Sequence, residues 1–240
     1  MLSVKDLSVS IQKKRILEHF TCSFDIGKTY ALMGPNGSGK STFGAALMGH
    51  PQYDYNSSAK ITFNGEELSG LETDQRAVKG LSMTFQHPLG LPGVNLYQVL
   101  RHALPQGHDP VEARKKLNSV AQKLSIPQEL LSRPLHEGFS GGERKKIELA
   151  QVMMLEPSFL ICDEIDTGVD VDALQIIAKS LVEYRTKKRT VILITHYTRL
   201  LQLVPVDEVI VLMRGQIVAR GGADLAHTIE KDGYSQFITA

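Results

Sequence analysis

The stretch GPNGSGKS, Gly34 to Ser41, constrains this chain more than any other. It fits the pattern G-x-x-x-x-G-K-[ST], follows the short apolar run TYAL and opens KSTFGAALMGH, which has no helix breaker except Gly44. Strand, glycine loop and helix, in that order, form the setting in which the pattern has a mechanism. The glycines let successive backbone N–H groups turn inward around phosphate oxygens. The helix start adds a partial positive charge. Lys40 is then placed to reach β- and γ-phosphates, and the Ser41 hydroxyl to ligate Mg²⁺. The candidate phosphate-binding set is Gly34, Pro35, Asn36, Gly37, Ser38, Gly39, Lys40, Ser41 and Thr42.

The rest of the chain alternates in the same way. LSVKDLSVSI and ILEHFTCSFDI read as early strands, and KITFNGEEL carries an Asn64-Gly65 hairpin signal. GLSMTFQ, SFLICDE, TVILITH and EVIVLM read as buried strands; GGERKKIELAQVMML, DALQIIAKSLVEYR and ADLAHTIEKDG read as helices. Fully apolar strands alternating with helices imply a parallel sheet covered on both faces. From Asn95 to Glu137 the pattern is helical, with Asp109 as an N-cap and Pro110 at the first helical position. We expect one domain over residues 1–240. Residues 1–86 and 139–240 form the core with its β portion, and 87–138 form a helical insertion.

Composition narrows the partners. Lys plus Arg number 27 and Asp plus Glu 26, so no broad basic face for nucleic acid is expected. Two cysteines, Cys22 and Cys162, are too few for the usual four-cysteine iron–sulfur ligation and lie in apolar runs, as buried small residues do. MLSVKDLSVS does not read as a secretory leader, and no uncharged run reaches the ~20 residues that span a bilayer. A cytoplasmic protein with no direct membrane insertion is expected.

Other residues supply chemistry. FLICDE ends a strand in Asp163 and Glu164, at the sheet edge where α/β proteins bind ligands. Asp163 can hold Mg²⁺ through water, and Glu164 can orient or deprotonate an attacking water. His196 ends TVILITH at the same edge, within reach of a γ-phosphate. GFSGGERKK places Ser140, Gly141, Gly142 and Glu143 at a second helix start, an anion site by its N–H groups and a capping box by Ser140 and Glu143.

GPNGSGKS, Gln86, FSGGE, FLICDE, TGVD and His196 occur in the order of the ATP-binding cassette ATPases, and the resemblance covers essentially the whole chain. It implies a P-loop ATPase with a RecA-like parallel core, an N-terminal antiparallel β subdomain and an inserted helical subdomain. It further implies ATP and Mg²⁺ as ligands and a transient ATP-dependent homodimer. In that dimer Ser140 to Glu143 would bind the γ-phosphate held by the opposite chain, and Asp170 would lie at the seam. Gln86 would contact Mg²⁺ and the attacking water.

The finer likeness is to the SufC family of the SUF iron–sulfur cluster assembly system. It rests on ALMGPNGSGKST, GHPQY, FQHPLGLPGV, EGFSGGERKK, DEIDTGVDVDAL, ITHYTRLL and the closing DGY. Thr167 and Val169 stand where that family usually has Ser and Leu. The likeness implies SufB- and SufD-like scaffold partners. An exposed apolar loop at the junction with the helical insertion suggests a docking surface, so Leu89, Leu91, Pro92 and Val94 are expected to form part of the seat for a scaffold helix. Ile11 stands where transporter ATPases usually carry an aromatic for adenine. The core motifs are equally those of membrane-transporter nucleotide-binding subunits, so that alternative stays open.

Overall fold

A computed structural model describes residues 1–86, 90–104 and 107–237. Among the described residues the strands form a six-stranded, a five-stranded and a two-stranded sheet. The strands Thr29–Met33, Phe159–Asp163 and Thr190–Ile194 are buried at every position. They join Leu81–Thr84, Glu208–Met213 and Gln216–Gly221 in a six-stranded sheet. From one edge the order is Gln216–Gly221, Glu208–Met213, Thr29–Met33, Thr190–Ile194, Phe159–Asp163, Leu81–Thr84. All neighbours are parallel except the edge strand Gln216–Gly221, which returns through a turn.

Alternation assigns the faces. Leu160, Cys162, Val191 and Leu193 face a core shared with the helices Gly141–Leu155 and Val171–Tyr184. Phe159, Ile161, Ile192 and Ile194 face the opposite core with Phe43, Leu47 and the N-terminal strands. Both cysteines are buried and unpaired.

The N-terminal strands form an antiparallel sheet in the order Lys14–Phe24, Leu2–Ile11, Lys60–Phe63, Glu66–Glu67, with Asp54–Tyr55 pairing against Leu2–Ile11. Between the strands Leu91–Asn95 and Pro134–Leu135 lie the helices Leu96–Ala103, Pro110–Lys123 and Gln128–Ser132. Asp109 caps the second, its carboxylate accepting from Val111 N–H at 2.8 Å. Leu96, Leu100, Leu117, Ala121 and Leu131 of this region merge with Ile147 and Leu149 into one core.

Part of FQHPLGLPGV is more ordered than its loop-like composition suggests. Leu91–Asn95 pairs antiparallel with Pro134–Leu135, Leu91 opposite Leu135. Leu91 and Pro92 remain exposed and Val94 half-buried. His87, Pro88 and Leu89 lie outside the described residues. A helix over Thr73–Val78 has no counterpart in the sequence reading. Its cap is Glu72 with Gln75, a capping box built on a residue type uncommon at that position.

Candidate nucleotide site

Strand register sets the site. Leu32 pairs with Ile194, Ile194 with Asp163, and Cys162 with Thr84. The C-terminal ends of four adjacent strands therefore deliver the glycine loop, His196, Glu164 and Gln86 to one edge. A cleft of about 430 Å³ opens there, lined by Asn36 to Thr42, Gln86, Glu164, His196, Lys14 and Ile16. The apolar residue on its wall is Ile16; Ile11 is not among the lining residues.

The glycine loop is shaped by close contacts. A β-carbon on Gly34 would stand 2.1 Å from the Leu212 carbonyl oxygen. Gly39 has φ +105°, the left-handed region that favours glycine. Lys40 is buried, and its Nζ donates to the carbonyls of Gly34 at 2.8 Å and Pro35 at 3.1 Å. Burial lowers its pKa, while Glu164 and Asp163 pull the other way. The Ser38 hydroxyl is buried and unpartnered among the described residues, in a loop whose geometry suits phosphate oxygens.

Ser41 Oγ donates to Asp163 Oδ1 at 3.0 Å. Burial raises the Asp163 carboxyl to about 6, against the pull of the Ser41 hydrogen bond. Thr84, absent from the sequence reading, accepts the Asp163 N–H at 3.0 Å and fixes that carboxylate's backbone. One hydroxyl and one carboxylate side by side suit a hard cation that takes its remaining ligands from phosphate and water. Among the described residues no cluster of three His, Cys, Asp or Glu offers an all-protein metal cage.

Glu164 is the meeting point. It has φ +46° and is 7% exposed. Its Oε2 accepts from Gln86 Nε2 at 2.6 Å, and its Oε1 lies 3.2 Å from His196 Nδ1. Its own N–H donates to Ile194 O at 2.9 Å, tying it to the strand that carries His196. Gln86 is held in turn from the helix Gly141–Leu155. Lys145 Nζ donates to Phe85 O at 2.9 Å and Gln86 O at 3.0 Å, and Glu148 Oε1 accepts the Phe85 N–H. Neither Lys145 nor Glu148 is visible as functional in the sequence. Their signal is an i,i+3 charge pair, itself common, on a helix face that proves buried.

Ser140 to Glu143 do not line this cleft. Ser140 caps its helix: its Oγ accepts from Glu143 N–H at 3.2 Å, and its N–H donates to Glu143 Oε2 at 2.7 Å. Gly141 lines a second cleft of about 490 Å³ with Lys145, Thr167, Gly168 and Gln86, which borders both. Asp170 is exposed and caps the helix Val171–Tyr184 through Ala173 N–H at 2.8 Å. A β-carbon on Gly142 would stand 3.1 Å from Ala173 Cβ, so close packing against that helix accounts for the small residue.

The family model described as ABC transporter matches residues 17–167. The chain belongs to the ATP-binding cassette family. The cassette is an ATPase, with ATP and Mg²⁺ as its ligands. It is 41% identical to Vegetative protein 296 of Bacillus subtilis, covering 97% of the cassette and 91% of that protein. It is 38% identical to the probable ATP-dependent transporter SufC of Escherichia coli, covering 98% and 97%. In fold it matches the solved ATP-binding subunit of an ABC transporter with a TM-score of 0.82, at 24% identity over 99% of both chains. Among the described residues no helix is long and apolar enough to cross a membrane.

Proposed function

We propose that the cassette is the ATP-hydrolysing subunit of a SufBCD-like iron–sulfur cluster assembly complex, working in the cytoplasm on SufB- and SufD-like scaffolds. The likeness to SufC over nearly the full length supports this reading. The observation that carries the catalytic part is Glu164 held between Gln86 and His196 at the mouth of the glycine loop.

In this reading the backbone of Gly34 to Gly39 with Ser38 cradles the phosphates, and Thr42 supports the same end of the helix. Lys40 exchanges its carbonyl partners for β- and γ-oxygens. Ser41 and Asp163, with Gln86, would hold Mg²⁺, which when bound would supply positive charge against the phosphates. Glu164 orients and accepts a proton from the attacking water, and His196 contacts the γ-phosphate.

Ser140 to Glu143 and Asp170 serve the nucleotide of a second chain. Their separation from the first cleft supports a head-to-tail dimer that forms with ATP and opens after hydrolysis. Catalysis is then positional and electrostatic.

A membrane-transporter role shares every core residue, and other relatives are called probable ABC transporter ATP-binding proteins. Purification of the tagged cassette from its native cells, with mass spectrometry of what accompanies it, separates the two. Soluble scaffold proteins are expected; stable recovery of an integral membrane protein would replace this reading with the transporter one.

A further inference from the structure

The geometry points to Asp166 and Thr195 as a pair of positioning residues that hold the His196 ring against Glu164. This rests on the roles given above to Glu164 and His196. Asp166 is 1% exposed and Thr195 fully buried. Thr195 Oγ1 donates to Asp166 Oδ2 at 2.9 Å and accepts the Tyr197 N–H at 2.9 Å. The hydroxyl thus bridges the residues on either side of His196 and anchors that turn to the segment carrying Glu164.

Two cross-links join the same two segments. Glu164 and Asp166 lie two apart on one; His196 and Thr195 are adjacent on the other. The His196–Glu164 contact at 3.2 Å closes a small ring with the Thr195–Asp166 bond. The backbone bond from Glu164 N–H to Ile194 O closes it at the strand end. The Thr195 bonds therefore oppose rotation of the backbone that carries His196.

A purely structural role explains the pair poorly. Burial of a carboxylate is costly unless both oxygens are satisfied. Asp166 Oδ1 has no partner among the described residues. Burial also raises the Asp166 pKa, with the Thr195 hydrogen bond opposing. Costly polar groups of this kind concentrate where function requires an orientation.

The test is a double-mutant cycle on the full chain, with steady-state ATPase assays at protein concentrations where Mg·ATP drives association. Thr195→Val and Asp166→Ala are each expected to lower kcat about tenfold and leave KM for ATP within about twofold. If the two act through one bond, the double variant loses no more than either single. Thr195→Ser and Asp166→Asn, which keep donor and acceptor, restore kcat. The imidazole NMR signal of His196, assigned by its absence in His196→Gln, shifts in both single variants. The two singles, checked for folding by circular dichroism, are independent routes to the same answer.

Wild-type kcat with an unmoved His196 signal, or losses that multiply to about a hundredfold, would overturn the pairing. Wild-type turnover by Glu164→Gln would instead overturn the role of Glu164. The His196 signal would still report whether Thr195 orients the ring.

Discussion

A β-carbon placed on Gly141 would stand 2.3 Å from the carbonyl oxygen of Gly168. The two segments that face a second chain in our reading, FSGGE and TGVD, are therefore in backbone contact within one chain. Gly141→Ala must push them apart. We expect a loss of about 1–3 kcal/mol in urea unfolding, the usual cost of overpacking. ATP binding by the isolated chain's own glycine loop should be unchanged, because neither Gly141 nor Gly168 lines that cleft. Unchanged stability would mean that TGVD yields freely.

Lys40 is buried, and its ammonium is held by the glycine-loop carbonyls. Loss of a charged hydrogen-bond donor costs about 1.5–3 kcal/mol. Lys40→Ala is expected to weaken ATP binding by roughly 10–100-fold, read by titration calorimetry. Wild-type affinity would remove Lys40 from the phosphate site.

Glu164→Gln keeps an oxygen for Gln86 and the shape of the pocket, and removes the proton acceptor. Turnover is expected to fall by about 10²-fold or more. In Mg·ATP the variant should sediment as a dimer in analytical ultracentrifugation, since hydrolysis no longer reopens it. Turnover at the wild-type rate would rule out Glu164 as the base.

Glu148 ties pH to stability. Burial raises its carboxyl from 4.5 to about 7 in the folded chain, with Lys145 and the Phe85 N–H opposing. Below pH 4.5 both folded and unfolded chains hold the proton. Between pH 4.5 and about 7 the unfolded chain releases it first, so stability falls as pH rises through that window. The contribution is about 3–4 kcal/mol at ~1.4 kcal/mol per pKa unit. Urea midpoints for wild type should decline across this range, and those for Glu148→Gln should decline less. Parallel curves would show that Glu148 does not carry the effect.

Leu91 and Val94 belong to a strand whose pairing with Pro134–Leu135 leaves Leu91 exposed. Replacing both with glutamate is expected to abolish recovery of scaffold partners while ATP binding stays intact. Equal recovery of partners would place the docking surface elsewhere.

Sequence reading recovered what is written locally. Apolar strands ending in Gly34, Asp163 and His196 carry their own signals, and Asp109-Pro110 marks a helix start without help. It missed what depends on neighbours distant in the chain. Thr84 matters because its hydroxyl meets Asp163 N–H across two parallel strands. Lys145 matters because its ammonium reaches carbonyls 59 and 60 residues away. The paired glycines of FSGGE cost helix propensity, and their reason is distant contact: one meets the Gly168 carbonyl and the other Ala173. Ile16, rather than Ile11, enters the cleft after the turn between the first two strands, a register that composition does not set.

The sheet order also governs how the cassette is made. Thr29–Met33, the strand that feeds the glycine loop, has as its sheet neighbours Thr190–Ile194 and Glu208–Met213. A ribosome therefore releases an apolar strand with open edges long before its neighbours are synthesised. Such edges are where nascent chains associate wrongly. The phosphate loop, early in the message, gains its rigid support only when the last third of the chain arrives. Truncated products ending before Thr190 would then be targets for chaperones and proteases rather than competitors for ATP.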